Sequence, residues 1–185
     1  GHSEGPALGS VAELAKWIVD LADYFGESLH LVGHSMGALV ALHTAGHHKN
    51  SVSSVSLLGV GASMPVHPEL QEAADANDVK AAQLITSWGH STRHHLGNNP
   101  TPGLSMTGGT QALIESASSG VLGIDLMACV TYDGALGSAE QIECPVLFLL
   151  GAEDKMTPRK TAQPLIDTVS SSKSVIDLPE TGHMV

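Results

Sequence analysis

One segment of this chain joins a short apolar run, a glycine turn and a helix-forming run without interruption. Residues 28–32 are largely apolar and stop at Gly33, and residues 36–47 then contain Ala, Leu and Val with no Pro. An apolar run of this length bounded by glycine is typical of a buried strand, whereas the second run favours a helix with Gly46 as its C-cap. The pattern therefore predicts a strand that turns sharply into a helix.

The segments on either side continue this alternation. Residues 11–25 place apolar side chains at intervals of three and four, which predicts an amphipathic helix capped by Ser10. Further strands are predicted at 52–60, 145–150 and 173–178, with a helix at 158–169. Alternating strands and helices indicate an α/β fold with a mostly parallel sheet, flanking helices and right-handed crossovers.

The pattern changes between the second and third predicted strands. Residues 62–141 contain short helical stretches broken by Gly, Pro, Ser and His. We interpret this segment as an inserted helical lid between two parts of one core, residues 1–61 and 142–185. The lid contains methionines, whose thioethers are flexible, and a tryptophan, and such side chains often line an apolar pocket. Packing in the core is the simpler role for each of them. The pocket candidates are Met64, Met106, Met127, Trp88 and Leu122, together with His34 outside the lid.

Composition argues against several classes of partner. The 19 Asp and Glu against 8 Lys and Arg give a formal net charge of −11, which repels a phosphate backbone, so nucleic acid is not expected. No apolar run reaches the length of about eighteen residues that predicts a membrane span. Cys129 and Cys144 match neither a disulfide framework nor a metal-binding spacing, and we expect a cytoplasmic protein. The oligomeric state is left open.

Histidine and acidic residues raise two further possibilities. The 11 histidines include the pairs His43 with His47 and His90 with His94, each spaced to share a helix face. Neither pair contains the glutamate of H-E-x-x-H, so packing or solvated histidines are favoured and no metal is expected. In the lid, Asp125 and Asp133 are candidates for a reserve acid, although surface or capping roles are favoured.

Two pentapeptides fit the pattern Gly-x-Ser-x-Gly, at residues 1–5 and 33–37. Only Ser35 lies between a predicted strand and a predicted helix, whereas Ser3 precedes Glu-Gly-Pro and is predicted to lie in a loop. A sharp strand-to-helix turn exposes the hydroxyl at the sheet edge, and the flanking glycines remove Cβ atoms that would collide. Ser35 is the candidate nucleophile, and the alternative is a serine in a tight connection without chemistry.

A serine hydroxyl becomes a good nucleophile only beside a base that is oriented by an acid. Asp154 follows the apolar run 145–150, and His183 follows the last predicted strand, so both lie where strands enter loops. Glu153 is the competing acid, and either carboxylate has a turn or helix-capping role as its alternative. For His183 the alternative is an ordinary loop histidine.

Three segments together resemble the α/β-hydrolase superfamily: residues 33–37 (GHSMG), 150–158 (LGAEDKMTP) and 181–184 (TGHM). The resemblance extends over the chain and implies a triad of Ser35, Asp154 and His183, with Asp154 preferred over Glu153. It also implies that the N–H of Met36 supplies half of the oxyanion hole. The implied function is that of a lidded, cofactor-independent serine hydrolase that cleaves a small apolar carboxylic ester.

Two other functions are compatible with the same residues. One is hydrolysis of a carbon–carbon bond by the same triad, and the other is ligand binding without catalysis. The resemblance further implies that opening strands and a second oxyanion donor precede Gly1 and that a closing helix follows Val185. On this interpretation the chain is a fragment with a partial α/β-hydrolase fold. Loss of one oxyanion donor is then expected to lower turnover by about a hundredfold to a thousandfold.

Overall fold

The computed structural model describes residues 4–97 and 101–185, so Ser3 lies outside the described residues. Four strands form one parallel sheet in the order β1-β2-β3-β4: Leu29–His34, Val52–Leu58, Val146–Gly151 and Lys173–Leu178. The α-helices, α1 to α9, are Val11–Phe25, Met36–His47, Pro68–Asp75, Val79–Gly89, Thr92–His95, Met106–Glu115, Val121–Thr131, Ala135–Gln141 and Arg159–Thr168. The predicted α/β fold with a parallel sheet and flanking helices is confirmed.

Helix α1 begins as its sequence predicts. The Ser10 hydroxyl accepts the N–H of Glu13 at 3.2 Å, while the Glu13 carboxylate reaches back to the N–H of Gly9 at 2.9 Å. The first bond satisfies a backbone donor of the first helical turn that has no partner within the helix, and the second satisfies the N–H of the residue before the cap. The predicted cap at Ser10 is confirmed.

Helix α2 does not end at Gly46, so the predicted C-cap is wrong. The helix continues to His47, and Gly46 is buried where α2 packs on α8. A Cβ atom at Gly46 would overlap the backbone carbonyl of Ser138 in α8. This glycine permits close contact between two helices and has no role in ending the first.

The sheet is buried more deeply on one face than on the other. Burial alternates along β2 and β3 because successive side chains of a strand point to opposite faces. The deeply buried side chains of these strands share one core with apolar residues of α2, α8 and α9: Val55, Leu57, Phe148, Leu150, Leu39, Leu42, Ala139 and Leu165. These helices hold the sheet so that its carboxyl edge carries the loops discussed below.

Most of the predicted lid segment has an apolar cluster of its own. Residues of α3 and α4 form this second cluster, with partly buried side chains of α6 and α7 packed against it: Leu70, Ala73, Ala74, Ala81 and Ile85, then Ile114, Leu122 and Leu126. Helix α8 differs, because Ala135 and Ala139 belong to the main core. The separately packed part of the segment therefore ends at α7.

Within the described ranges, no helix is both long and apolar enough to cross a membrane.

Cys129 and Cys144 are free thiols. Burial raises the pKa of Cys129 to about 11, so this group is a neutral thiol at neutral pH.

We expect Gly46→Ala to destabilise the protein although alanine favours helices. The helical preference contributes up to about 1 kcal/mol, whereas forcing α2 and α8 apart costs about 1–3 kcal/mol. Gly109→Ala in α6 is the matched control, because the added Cβ meets no atom of the described residues within 4 Å outside the backbone of its own helix. Urea unfolding followed by circular dichroism should give a lower free energy of unfolding for Gly46→Ala and an unchanged or higher one for Gly109→Ala. Equal stability of the two variants would contradict this account of the helix contact.

Candidate active site

Ser35 occupies the turn between β1 and α2 in an unusual backbone conformation. Its φ and ψ are 55° and −119°, a region that residues with a side chain rarely adopt. The Ser35 N–H donates to the Leu58 carbonyl at 2.9 Å, which ties the turn to the end of β2. A Cβ at Gly33 would overlap the Gly37 carbonyl, whereas a Cβ at Gly37 would meet no described atom within 4 Å outside the backbone of its own helix. The predicted collision therefore applies to Gly33 and not to Gly37.

Asp154 lies in the loop after β3, and its side chain is 1% exposed. Oδ1 accepts the N–H groups of Met156 at 2.9 Å and Thr157 at 2.8 Å, and Oδ2 accepts from Nδ1 of His183 at 2.9 Å. Burial by itself raises the pKa of Asp154, but the hydrogen bond and charge of His183 and the bonds from Thr157 bring that pKa below its usual range. The carboxylate is therefore ionised at neutral pH.

His183 lies in the loop after β4 and is 1% exposed. An ionised carboxylate can only accept hydrogen bonds, so Nδ1 carries the proton that reaches Asp154. In the neutral ring, Nε2 is then an acceptor. Among the residues that the structure describes, Nε2 has no hydrogen-bond partner. Leaving a buried acceptor unpaired costs about 1–3 kcal/mol, which makes this atom a candidate for contact with a reacting group.

The ends of β1 and β2 lie against His183. The ring of His34, the residue before Ser35, lies 4.7 Å from the ring of His183, and its Nε2 donates to the His183 carbonyl at 2.7 Å. Gly59, with φ of +55°, follows β2, and a Cβ there would be 3.1 Å from the His183 ring. Burial, with a contribution from the charge of His183, lowers the pKa of His34. His34 is therefore a neutral donor beside His183 and Ser35.

The other acidic candidates lie away from this cluster. Glu153 is exposed and accepts the Thr92 N–H at 3.3 Å, whereas its neighbour Asp154 contacts His183. Asp133 is exposed. Asp125 lines a different cavity beside β1, and burial raises its pKa. The geometry therefore places Asp154, and none of these three, at the histidine.

A cavity of about 340 Å³ opens at Ser35. Its walls are mostly apolar and include two of the predicted pocket residues, Met64 and Trp88. Other lining residues are Pro65, Val66, His67, Leu70, Leu126, Cys129, Lys155, Met156 and Thr157. The cavity lies between the carboxyl edge of the sheet and the second apolar cluster, so a ligand bound there would contact both.

Four predicted pocket residues do not line this cavity: Met106, which is 43% exposed, Leu122, which packs against the second apolar cluster, Met127 and His34. Met127 is 43% exposed, because Leu126 and Cys129, three residues apart on α7, share the face that points inward. His34 contacts His183 instead. Met36 has its side chain in the cavity beside β1, while its backbone N–H belongs to the first turn of α2, which has no acceptor within the helix.

Reasoning from sequence missed two residues that contact the Asp154–His183 pair. Thr157 places its hydroxyl 2.8 Å from Asp154 Oδ2 and 3.0 Å from His183 Nδ1. Gly59 leaves the space that the histidine ring occupies. The available signals are a threonine three residues after the acid, where side chain and backbone can both bond locally, and a glycine directly after an apolar strand.

The two histidine pairs are close in space, but only His43 and His47 share a helix as predicted; His90 follows the end of α4 and His94 lies in α5, so the prediction of a shared helix face is wrong for that pair. Ring centroids are 4.4 Å apart for His43 and His47 and 5.4 Å apart for His90 and His94. His43 is hydrogen-bonded to Tyr132 at 3.1 Å. Across residues 4–97 and 101–185, no three His, Cys, Asp or Glu side chains are grouped so that they could hold a metal ion.

Comparison with known proteins assigns the chain to a family. A sequence profile of the alpha/beta hydrolase family matches residues 1–185. The chain belongs to the α/β hydrolase family. Comparison with curated protein sequences found no match.

Solved α/β hydrolase structures share this fold at low identity. A thermophilic esterase is 24% identical with a TM-score of 0.79, and the match covers 100% of this chain and 70% of that one. An esterase from Exiguobacterium antarcticum is 18% identical with a TM-score of 0.83, covering 100% and 71%. The enol-lactonase from Burkholderia xenovorans is 18% identical with a TM-score of 0.83, covering 96% and 68%.

We expect His34→Leu to destabilise the protein because the buried His183 carbonyl loses its donor, at a cost of about 1–3 kcal/mol. The matched control is His30→Leu, an exposed position on the same strand, where a change within about 0.5 kcal/mol is expected. Urea unfolding followed by tryptophan fluorescence measures both.

The cost of His34→Leu should be smaller at pH 5 than at pH 7. The pKa of His34 is lowered in the folded protein, so below the ordinary value the unfolded chain binds a proton that the folded chain does not. The wild type therefore loses stability as the pH falls through this range, and the variant lacks that loss. If His34→Leu lowered the free energy of unfolding more at pH 5 than at pH 7, the predicted direction of the pH dependence would be wrong.

Proposed function

We propose that this chain is a serine hydrolase acting on a carboxylic ester, with Ser35 as nucleophile, His183 as general base and Asp154 as the acid that orients the base. The observation that carries the proposal is the buried Asp154–His183 pair at the strand ends beside the Ser35 turn, where Nε2 of His183 has no partner among the described residues. A proton-accepting nitrogen oriented by an ionised carboxylate is what activation of a serine hydroxyl requires.

In the proposed reaction, Ser35 Oγ attacks the ester carbonyl carbon while its proton moves to Nε2 of His183. The tetrahedral intermediate collapses, and His183 returns the proton to the leaving alcohol. Water then attacks the acyl-enzyme in the same way, releasing the acid and restoring the Ser35 hydroxyl. Asp154 stays ionised and stabilises the imidazolium that forms in each step, consistent with the lowered pKa of its carboxyl group.

The backbone N–H of Met36 is the proposed oxyanion donor. It belongs to the first turn of α2, directly after Ser35, where helical N–H groups lack intrahelical acceptors and the helix dipole favours negative charge. A donor held in place before the reaction needs no reorganisation when the carbonyl oxygen becomes negative. Its position next to the nucleophile supports this role.

The proposed substrate is a small ester with an apolar acyl group. The cavity at Ser35 is about 340 Å³ and mostly apolar. Helices α3, α4 and α7 supply its outer wall through Leu70, Trp88 and Leu126, and we propose that residues 68–131 act as the lid. Ester chemistry is preferred over the other reactions of such a triad because proteins described as esterases are among the similar structures.

A fluorophosphonate probe tests the nucleophile. We expect the chain to be labelled at Ser35, with labelling reduced by at least about a thousandfold in Ser35→Ala because the alanine side chain has no hydroxyl to react with the probe. Intact-mass spectrometry and peptide mapping measure the extent and position of labelling. Ser3→Ala is the matched control, since Ser3 lies in a pentapeptide of the same pattern, and its labelling should equal that of the wild type. Tight binding of ligands without labelling would favour a non-catalytic binding protein instead.

Trp88 should limit the length of the acyl group. We expect Trp88→Ala to raise kcat/KM for p-nitrophenyl octanoate relative to the butyrate by about tenfold, because removal of the indole lengthens the cavity. Trp17→Ala is the control, since Trp17 is exposed on α1 and lines the separate cavity beside β1. The same change in preference in both variants would argue against acyl binding at Trp88.

A further inference from the structure

The Thr157 hydroxyl lies at the centre of the Asp154–His183 pair. Thr157 is 3% exposed, and its Oγ1 is 2.8 Å from Asp154 Oδ2, 3.0 Å from His183 Nδ1 and 2.9 Å from the Gly59 carbonyl oxygen. The Thr157 N–H also donates to Asp154 Oδ1 at 2.8 Å. One residue therefore contacts the acid, the base and the end of β2.

The number of available protons limits which hydrogen-bond arrangements are possible around the Thr157 hydroxyl. A hydroxyl has one proton, and here it has two acceptors within reach, the Asp154 carboxylate and the Gly59 carbonyl. The Nδ1 proton of His183 likewise has two acceptors, the carboxylate and the Thr157 oxygen. When the Thr157 proton points to Gly59, the hydroxyl oxygen can accept from Nδ1. When it points to Asp154, the Nδ1 proton is directed to the carboxylate alone.

We propose that Thr157 is a positioning residue that responds to the charge of His183. With a neutral ring, its hydroxyl can donate to the carboxylate. When His183 takes the Ser35 proton, the hydroxyl donates to the Gly59 carbonyl and its oxygen accepts from the charged ring. This rotation adds an acceptor to the imidazolium without moving a heavy atom, and hydrogen bonds to charged groups are the stronger ones. The proposal rests on the function proposed above.

Thr157→Val removes the hydroxyl while keeping the branched shape. The backbone N–H groups of Met156 and residue 157 still hold Oδ1 of Asp154, so the acid loop retains its main bonds. Thr157→Ser restores the hydroxyl without the methyl group. Thr161→Val is the matched control, because Thr161 is a nearby threonine whose hydroxyl donates to the Pro158 carbonyl at 2.8 Å and does not contact the pair.

The first measurement is the rate of fluorophosphonate labelling from pH 5 to pH 9. We expect Thr157→Val to slow labelling by about ten- to a hundredfold, the effect of losing one hydrogen bond to a group that becomes charged. The maximal labelling rate should decrease, whereas the probe concentration that gives half of this rate should stay the same. In the pH profile of the labelling rate, the acid limb should move to lower pH. Thr157→Ser should restore the rate to within about threefold, and Thr161→Val should match the wild type.

The second measurement does not require catalysis. The Nδ1 proton of His183 should give a downfield proton NMR resonance in the wild type, Thr157→Ser and Thr161→Val, and this resonance should move or broaden in Thr157→Val. An unchanged resonance in folded Thr157→Val would overturn the positioning role whether or not the chain is labelled. A serine variant as impaired as the valine variant would do the same, because the methyl group would then be the important part. Absence of labelling in the wild type, with the resonance behaving as expected, would count against the hydrolase function and not against the positioning role.

Discussion

A carboxylate removed from water must be surrounded by hydrogen-bond donors, and this constraint on Asp154 organises the carboxyl edge of the sheet. Its oxygens take donors from two backbone N–H groups of its own loop, from Thr157 and from His183. The loop after β3 and the loop after β4 are thereby joined. The same bonds orient the histidine ring, whose other nitrogen has no partner in the part of the chain that the structure describes. The stabilisation of one buried charge therefore also produces the candidate base.

The Ser35 turn depends on support from the surrounding fold. A non-glycine residue at φ of 55° is strained, and such strain persists where neighbouring structure determines the conformation. Here the Ser35 N–H is bonded to β2, Gly33 admits the Gly37 carbonyl, and α2 is buried in the main core. His34 then connects the turn to His183. Ser35 and His183 are thus held by separate elements that meet at one edge.

Local patterns predicted the elements well, and the errors occur where packing between elements decides. The first helix follows from the spacing of its apolar side chains and from its capping serine, and the last strand follows from its residue types. Gly46 resembles a helix end, but its role is to admit α8, which no local pattern reveals. Met127 and its neighbour Leu126 are similar apolar residues, and only the orientation of α7 separates the exposed side chain from the one in the cavity.

The sequence by itself determined the order of strands and helices, the family, and the three loops that carry Ser35, Asp154 and His183, because each depends on residues close together in the chain. Only the tertiary structure decided which carboxylate meets the histidine, which apolar side chains form the cavity, and that Thr157 and Gly59 contact the pair. These contacts join residues far apart in sequence. They depend on how parallel strands bring their carboxyl ends together, and that arrangement exists only once the sheet has formed.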